Sequence, residues 1–467
     1  MNPHVPEKIL RLARAVRTAG GRALLVGGCV RDWLMGVEPK DWDVEVYGVE
    51  PQALRALLET FGSVNVVGEA FTVYKLGHHL DVSLPRRERK TGRGHRGFVV
   101  EGDPFMTIED ATIRRDFTIN AILQDPLTGE VIDPFDGRGD IERKTLRAVS
   151  SKTFAEDSLR VLRAAQFAAR FEFTIEPETV ELCRTIDLTD LPRERIWGEM
   201  EKLLLRARQP SIGLKWLYDL GVVDQLFPEM KALVGVPQEY AWHPEGDCDV
   251  HTLLTVDRAR EQVDDLSYPK QVTVMLAALC HDFGKPATTA FIEGRIRSRG
   301  HEEAGARPTE SFLERLGIYT LEGYDVRAQV IALVRDHLKP GEFYRLRDEI
   351  SDGAFRRLAR RCELDLLYRV AKADSLGRNA PWVPKERWFT ADAQDWFISR
   401  ARELEVELKP PEPFLMGRHL LEMGMKPGPR MGELVRAVYE MQLEGRVRNL
   451  EEAREAARKL IEEDESE

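Results

Sequence analysis

The chain has 467 residues, 43% hydrophobic and 31% charged, with a formal net charge of −11. That length implies three or four domains and excludes a single small module. No apolar run approaches a membrane span and no N-terminal segment carries a signal-peptide apolar core, while five scattered cysteines (29, 183, 248, 280 and 362) lack metal-knuckle spacing, so the expectation is a cytoplasmic protein with reduced thiols and no membrane partner.

The first ~145 residues alternate short β-type runs with helices and are expected to form a mixed α/β head. Within it, Leu25-Val26-Gly27-Gly28-Cys29-Val30-Arg31-Asp32 reads as a strand running through a Gly-Gly turn into a short helix. A second strand follows with acids at Asp41, Asp43 and Glu45. Alternation along a strand puts Asp41 and Asp43 on one face, with Cα atoms roughly 6.7 Å apart. Two such carboxylates can converge on paired divalent ions about 3.5–4 Å apart, the clamp for in-line phosphoryl displacement. Gly27 and Gly28 allow close approach of the backbone to a triphosphate, and Arg31 lies about one helical turn beyond them. Asp81, on the strand Leu80-Asp81-Val82-Ser83-Leu84, is a third candidate carboxylate. Residues 86–98 form a dense basic stretch punctuated by Gly92, Gly94 and Gly97, suited to drawing in RNA backbone and triphosphate.

A second block, Thr112-Ile113-Arg114-Arg115-Asp116-Phe117-Thr118-Ile119-Asn120-Ala121, leads to Glu156-Asp157-Ser158-Leu159-Arg160-Val161-Leu162-Arg163, and then to Glu194-Arg195-Ile196 with Glu199. Asp157 and Arg160 are three apart in a segment with helical periodicity, so they are expected on one helix face. An ionised Asp only accepts hydrogen bonds and Arg only donates them. Cytosine and adenine both present an exocyclic amine beside an acceptor ring nitrogen, whereas uracil and guanine reverse that order. One fixed Asp/Arg pair therefore accepts C and A and leaves charged groups unpaired against U and G.

These motifs, in this order, resemble those of the class II tRNA nucleotidyltransferases, the CCA-adding enzymes and their bacterial poly(A) polymerase relatives. The resemblance implies Asp41 and Asp43 as Mg2+ ligands and Asp81 as the group that activates the RNA hydroxyl. It also implies Gly27, Gly28, Arg31, Arg115, Asp157, Arg160 and Arg163 as the nucleotide site, with Asp157 and Arg160 selecting CTP and ATP. The basic stretch at 86–98 corresponds to the family's flexible loop, which is needed for the final A. A chain this acidic suits modest, salt-sensitive RNA affinity, with the acid partly in the tail Glu462–Glu467 and the basic residues clustered at 86–96 and 160–170.

A second chemical centre begins at Trp242-His243-Pro244-Glu245 and includes His251, His281-Asp282, His301, His337 and Asp374. Imidazoles with carboxylates suit transition-metal ions, and a bound water can become a hydroxide nucleophile. The order His…His-Asp…Asp resembles the HD phosphohydrolase superfamily. That implies a metal site of all six residues and phosphatase or 2′,3′-cyclic phosphodiesterase activity toward RNA ends.

The expected architecture is α+β: a nucleotidyltransferase head (1–147), a helical neck with the nucleotide-selecting motif (148–235), an HD domain (236–390) and a helical C-terminal region (391–467). Pro228 and Pro237 mark a hinge, and the Pro-bearing stretch 379–384 reads as a linker. The expected partners are tRNA, CTP and ATP, with no protein partner indicated. The alternatives are an A-only adding enzyme or a poly(A) polymerase of the same family, or an HD hydrolase whose head merely binds RNA.

Overall fold

The structure is a computed structural model that describes residues 5–67, 73–90 and 98–466. The chain divides into two units, Met1–Pro228 and Glu229–Glu467. No described helix is long and apolar enough to cross a membrane.

In the first unit the strands are β1 (Arg22–Val26), β2 (Trp42–Tyr47), β3 (Asn65–Val67), β4 (Val73–Lys75), β5 (Leu80–Ser83), β6 (Arg86–Lys90), β7 (Phe98–Gly102), β8 (Leu123–Gln124) and β9 (Val131–Ile132). Seven of them form one sheet in the order β3-β4-β5-β2-β1-β8-β9. β2 and β5 run parallel, with Asp43 opposite Asp81. The chain between them supplies helix Pro51–Glu59 and the β3–β4 pair, as a parallel connection requires. Val44, Val46, Leu80 and Val82 point into a core shared with Leu12 and Val16 of helix Glu7–Thr18 and Leu54 and Leu58 of helix Pro51–Glu59. Strict alternation therefore turns Asp43 and Asp81 to the opposite face. The flanks of the basic stretch pair as an antiparallel ladder, Arg86–Lys90 with Phe98–Gly102. Its centre, 91–97, lies outside the described residues.

Helix Leu159–Phe171 ends at Glu172, which adopts φ 55°, and packs against helices Arg193–Arg206 and Pro210–Asp219. Its alanines, Ala164, Ala165, Ala168 and Ala169, are fully buried at that contact.

In the second unit, helix Tyr268–Cys280 is buried at every position from Val272 to Cys280, so it forms the centre of a bundle. Helices Cys248–Arg260, Val326–Asp336 and Leu364–Gly377 surround it. The stretch expected to be a linker at 379–384 is instead a packed loop. Ala380 and Val383 are buried, and the Asn379 amide is bonded at both ends to the Phe389 backbone. The reason is helix Asp392–Glu403, whose Phe397 ring packs 5.9 Å from Phe343 and 5.2 Å from Phe355, tying residues beyond 390 to the same bundle. Three last helices, Gly417–Glu422, Pro429–Leu443 and Leu450–Ser466, close around Leu420, Leu434, Val438 and Ala453.

Candidate functional sites

The head site is built at the end of β1 and on the open face of β2 and β5. Gly27 caps helix Gly28–Leu34 at φ 69° and ψ −129°, a conformation that favours glycine. A Cβ there would lie 3.0 Å from Arg115 Nη1, so the turn and that guanidinium are in close contact. Arg115 also lies 3.7 Å from Glu45. Asp41 is exposed and 2.9 Å from His79 Nδ1 across the β4–β5 turn. Asp81 sits between Asp43 on one side and Lys75, 3.8 Å away, on the other. Burial, partly countered by Arg115, raises the Asp43 carboxyl above its usual range, and repulsion from Asp81, Asp41 and Glu45 adds to it. The mutual repulsion of Asp41, Asp43, Glu45 and Asp81 favours a bound cation, so the acidic strand face is compatible with divalent metal.

The Arg31 guanidinium is buried, lies 4.6 Å from the Phe171 ring centre, and donates to Asp32 at 2.8 and 2.6 Å and to Asn120 at 2.6 Å. It remains against the glycine turn, where a Cβ at Gly28 would lie 3.5 Å from its Nη2, and Arg115 lies beside the acidic cluster. Asn120 in turn donates to Asp116, whose other oxygen receives Arg163 Nε at 2.8 Å. Arg163 lies 3.9 Å from Glu199 as well. A continuous polar chain thus joins the glycine turn, the second motif and the neck helices. Burial alone pushes Asp116 up, but Arg163, Asn120 and the Phe117 N–H hold it down at about 2.

Asp157 precedes its helix and does not lie on a helix face, because its carboxylate accepts from the Leu159 N–H at 3.2 Å and opens the first turn. Arg195 grips the same carboxylate with two bonds, 3.1 Å to Oδ1 and 2.9 Å to Oδ2. Burial raises the Asp157 carboxyl, and Arg195, Leu159 N–H and Arg160 more than reverse it, leaving the group below its usual range. Arg160 is anchored on the carbonyls of Thr153, at 2.6 Å, and Arg114, at 2.5 Å. A carboxylate has about four acceptor positions. Among the described residues three are used, which leaves one on Asp157 Oδ2. Arg195, the partner of Asp157, and Arg114, whose carbonyl holds Arg160, were present in the motifs, but nothing in their spacing assigns the contacts.

The second centre gathers all six expected residues. His251 is on helix Cys248–Arg260, His281 and Asp282 follow helix Tyr268–Cys280, His301 opens helix His301–Ala304, His337 ends helix Val326–Asp336, and Asp374 is on helix Leu364–Gly377. His251, His281 and Asp374 form one group able to hold a metal, and Asp282, His301 and His337 another. Three of the rings share a device. His281, His301 and His337 each set Nδ1 against the carbonyl three residues earlier, at 2.7, 2.8 and 2.6 Å. A carbonyl requires Nδ1–H, so each Nε2 keeps its lone pair. The Nε2 atoms of His301 and His337 then face each other at 3.2 Å, an arrangement that favours a cation between them. Burial lowers both rings, His337 to about 3 with help from its histidine neighbours. Asp282 is buried with Oδ2 2.8 Å from Lys285 Nζ, and Nε2 of His281 is buried without a hydrogen-bond partner. Burial disfavours the Asp282 and Asp374 charges, but neighbouring His281 and Lys285 for the first, and Arg378 and His251 for the second, hold both far down. Ionised carboxylates, the neutral rings of His301 and His337 and the unpartnered Nε2 of His281 fit a metal ion.

Glu245, quoted in the sequence without a role, is fully buried and places Oε1 2.7 Å from His251 Nδ1 and 2.9 Å from His243 Nδ1. Gly284 matters for space: a Cβ there would lie 1.9 Å from the His301 carbonyl oxygen.

Residues 23–147 match the family model described as the poly(A) polymerase head domain, 172–233 that described as a probable RNA- and SrmB-binding site of polymerase A, and 249–379 the HD domain. A curated relative from Xanthomonas campestris pv. campestris, "Multifunctional CCA protein", is 39% identical over 377 residues, covering 77% of this chain and 87% of the relative. A protein of the same name from Mannheimia succiniciproducens is 40% identical over 304 residues, covering 63% and 70%. Among solved structures, the Bacillus stearothermophilus CCA-adding enzyme in complex with CTP shares the fold, with TM-score 0.64, 20% identity and 98% of each chain covered. The Thermotoga maritima CCA-adding enzyme complexed with tRNA gives TM-score 0.55 at 19% identity, covering 98% of this chain and 96% of that one. With the head, RNA-binding and HD models matched in series and a relative 39% identical along most of its length, this chain belongs to the multifunctional CCA protein family.

Proposed function

We propose that this protein adds and repairs the 3′-terminal CCA of tRNA from CTP and ATP without a nucleic-acid template, in the cytoplasm. The observation that carries this reading is the Asp157 carboxylate, held by Arg195 with one acceptor position left over, beside an anchored Arg160. That position takes the exocyclic amine of C or A, and Arg160 donates to the adjoining ring nitrogen. The tRNA 3′-oxygen attacks the α-phosphorus, the bond to the bridging oxygen breaks, and pyrophosphate leaves. Asp41 and Asp43 are the proposed ligands of Mg2+, which when bound neutralises the triphosphate and acidifies the 3′-hydroxyl. Asp81 is placed beside Asp43 to help receive that hydroxyl's proton. Arg115, next to the Gly27 turn, contacts the phosphates, while Arg31 and Arg163 hold the second motif in place behind it. Gly27 and Gly28 keep the turn narrow enough for backbone contact with the nucleotide.

The six-residue HD centre is proposed to hold transition-metal ions, which when bound supply a hydroxide-like nucleophile from water. His251, His281, Asp282, His301, His337 and Asp374 bind and orient, and the reaction is hydrolysis of a terminal phosphate ester on RNA. Water oxygen joins phosphorus, the ester P–O bond breaks, and the leaving ribose oxygen takes the proton. The proposed domain limits follow: head to 147, neck to 235, HD region to about 390, and a helical C-terminal part.

One assay tests the main reading. tRNA ending at its discriminator base is incubated with CTP and ATP, separately and together, and the products are sequenced. CCA appears only with both nucleotides. Addition of A alone, or of a long A tract, would point to the A-adding or poly(A) branches instead.

A further inference from the structure

The loops 237–246 and 380–388 expose several large aromatic side chains that the metal centre does not use. Trp242 is 58% exposed and Tyr240 and Trp382 each 61%. The two loops are tied together: the Trp382 indole N–H donates to the Glu245 carbonyl at 3.1 Å, and the Arg387 guanidinium stacks 4.7 Å from the Tyr240 ring centre. Single exposed aromatics are ordinary, but a tethered group of them beside a cavity is not.

Trp242 is also a wall of that cavity, about 530 Å³ in volume, which opens onto Asp282, His301, His337 and Asp374. This is the size of site that takes a nucleotide. Its cationic lining comes from Lys285, Arg345 and Arg378. Charges of both signs on the wall are partly engaged: Glu239 accepts from the Ile296 N–H and Glu342 from Lys339, while Lys285 lies 2.8 Å from Asp282 and Arg378 3.5 Å from Asp374. An indole, cationic side chains and a metal-type cluster lining one cavity are the three parts needed for a base, its phosphate and the bond to be cut.

We infer that Trp242 stacks the last base of a single-stranded RNA 3′ end whose terminal phosphate lies against Lys285, Arg345 and Arg378, and that the preceding nucleotide crosses Trp382 and Tyr240. This rests on the reading of the HD centre as a hydrolase of RNA ends, and it names the chemistry that brings those ends in. The cavity thereby favours phosphate esters of nucleosides over esters that lack a base, with little discrimination among bases, because every base offers a π-face.

The test uses the full-length protein loaded with Ni2+ or Mn2+ and three substrates. These are adenosine 2′,3′-cyclic phosphate, the dinucleotide CpA carrying the same cyclic end, and methyl ribofuranoside 2,3-cyclic phosphate, which keeps the ester and lacks the base. Trp242→Leu is expected to lower kcat/KM on adenosine 2′,3′-cyclic phosphate about 10-fold or more, through KM, and on the baseless ester less than threefold. Trp242→Phe, which keeps a ring, stays within threefold on both. Trp382→Leu lowers kcat/KM on the dinucleotide by at least threefold more than on the mononucleotide. Equal losses on nucleoside and baseless esters, or none, overturn the stacking role of Trp242, and an equal effect of Trp382→Leu on one and two nucleotides overturns the second contact. If the wild-type protein cleaves none of the three, the hydrolase reading fails. Stacking is then decided by adenosine 2′-monophosphate binding to wild type and Trp242→Leu, followed by indole fluorescence: a 10-fold weaker constant supports it and equal constants overturn it.

Discussion

Removing the Arg195 guanidinium isolates the positional part of nucleotide selection, since Arg195 holds Asp157 and is not itself a proposed contact to the base. The two bonds, at 3.1 and 2.9 Å, are charge-assisted and join side chains 24% and 33% exposed. A buried bond of this kind contributes about 1.5–3 kcal/mol. With a quarter to a third of each group in water, the pair is discounted to about 1–2 kcal/mol in total. If that energy serves to hold Asp157 for the base, Arg195→Ala lowers kcat/KM for CTP about 5- to 30-fold, at a tenfold change per 1.4 kcal/mol. The loss for UTP is smaller, because Asp157 opposes uracil rather than binding it. Arg195→Lys, a point charge without the planar fork, falls between. Single-turnover incorporation on tRNA ending at the discriminator base, with CTP and UTP in parallel, gives the ratio directly. A lower melting temperature with an unchanged CTP-to-UTP ratio would refute the reasoning, since Arg195 would then only hold the neck together.

Three further outcomes follow from other parts of the molecule. Asp116 has its carboxyl depressed from 3.8 to about 2, so its pairing with Arg163 stabilises the first unit above pH 3.8 and is lost as pH falls through 2. Asp116→Asn is expected to cost about 2 kcal/mol at pH 7, with the gap to wild type in urea unfolding closing between pH 4 and pH 2. Glu245→Ala removes the carboxylate 2.7 Å from His251 Nδ1, and metal affinity, measured by competition with a chelator, drops about 10- to 100-fold while CCA addition is retained. Gly284→Ala drives a Cβ to within 1.9 Å of the His301 carbonyl oxygen, so calorimetry records a loss of about 2–3 kcal/mol in the second unit and elemental analysis a fall in bound metal.

Local pattern carried much of the architecture. The helical neck and helical C-terminal region contain the helices Arg193–Arg206 and Pro210–Asp219, and Pro429–Leu443 and Leu450–Ser466, because apolar periodicity and proline or glycine punctuation are local signals. The six histidines and aspartates of the second unit were legible as a set, since few other roles require those residue types in that order. What was not legible depends on partners far along the chain. The bond from Arg31 to Asn120 joins residues 89 apart, which no local pattern announces. Arg195 and Asp157 are 38 apart, and no periodicity links them. The stretch 379–384 looked like a linker by composition, yet Asn379 and Val383 are bonded to Phe389 and Trp388 further along the chain.

The side-by-side placement of Asp43 and Asp81 on parallel strands has an evolutionary consequence. Extra residues in the crossover between β2 and β5 merely lengthen a detour, and the two acids still meet. One residue gained or lost inside β5 itself swaps its faces, sending Asp81 inward and a valine or leucine outward. Length variation among related chains should therefore collect in the crossover and avoid the four residues from Leu80 to Ser83.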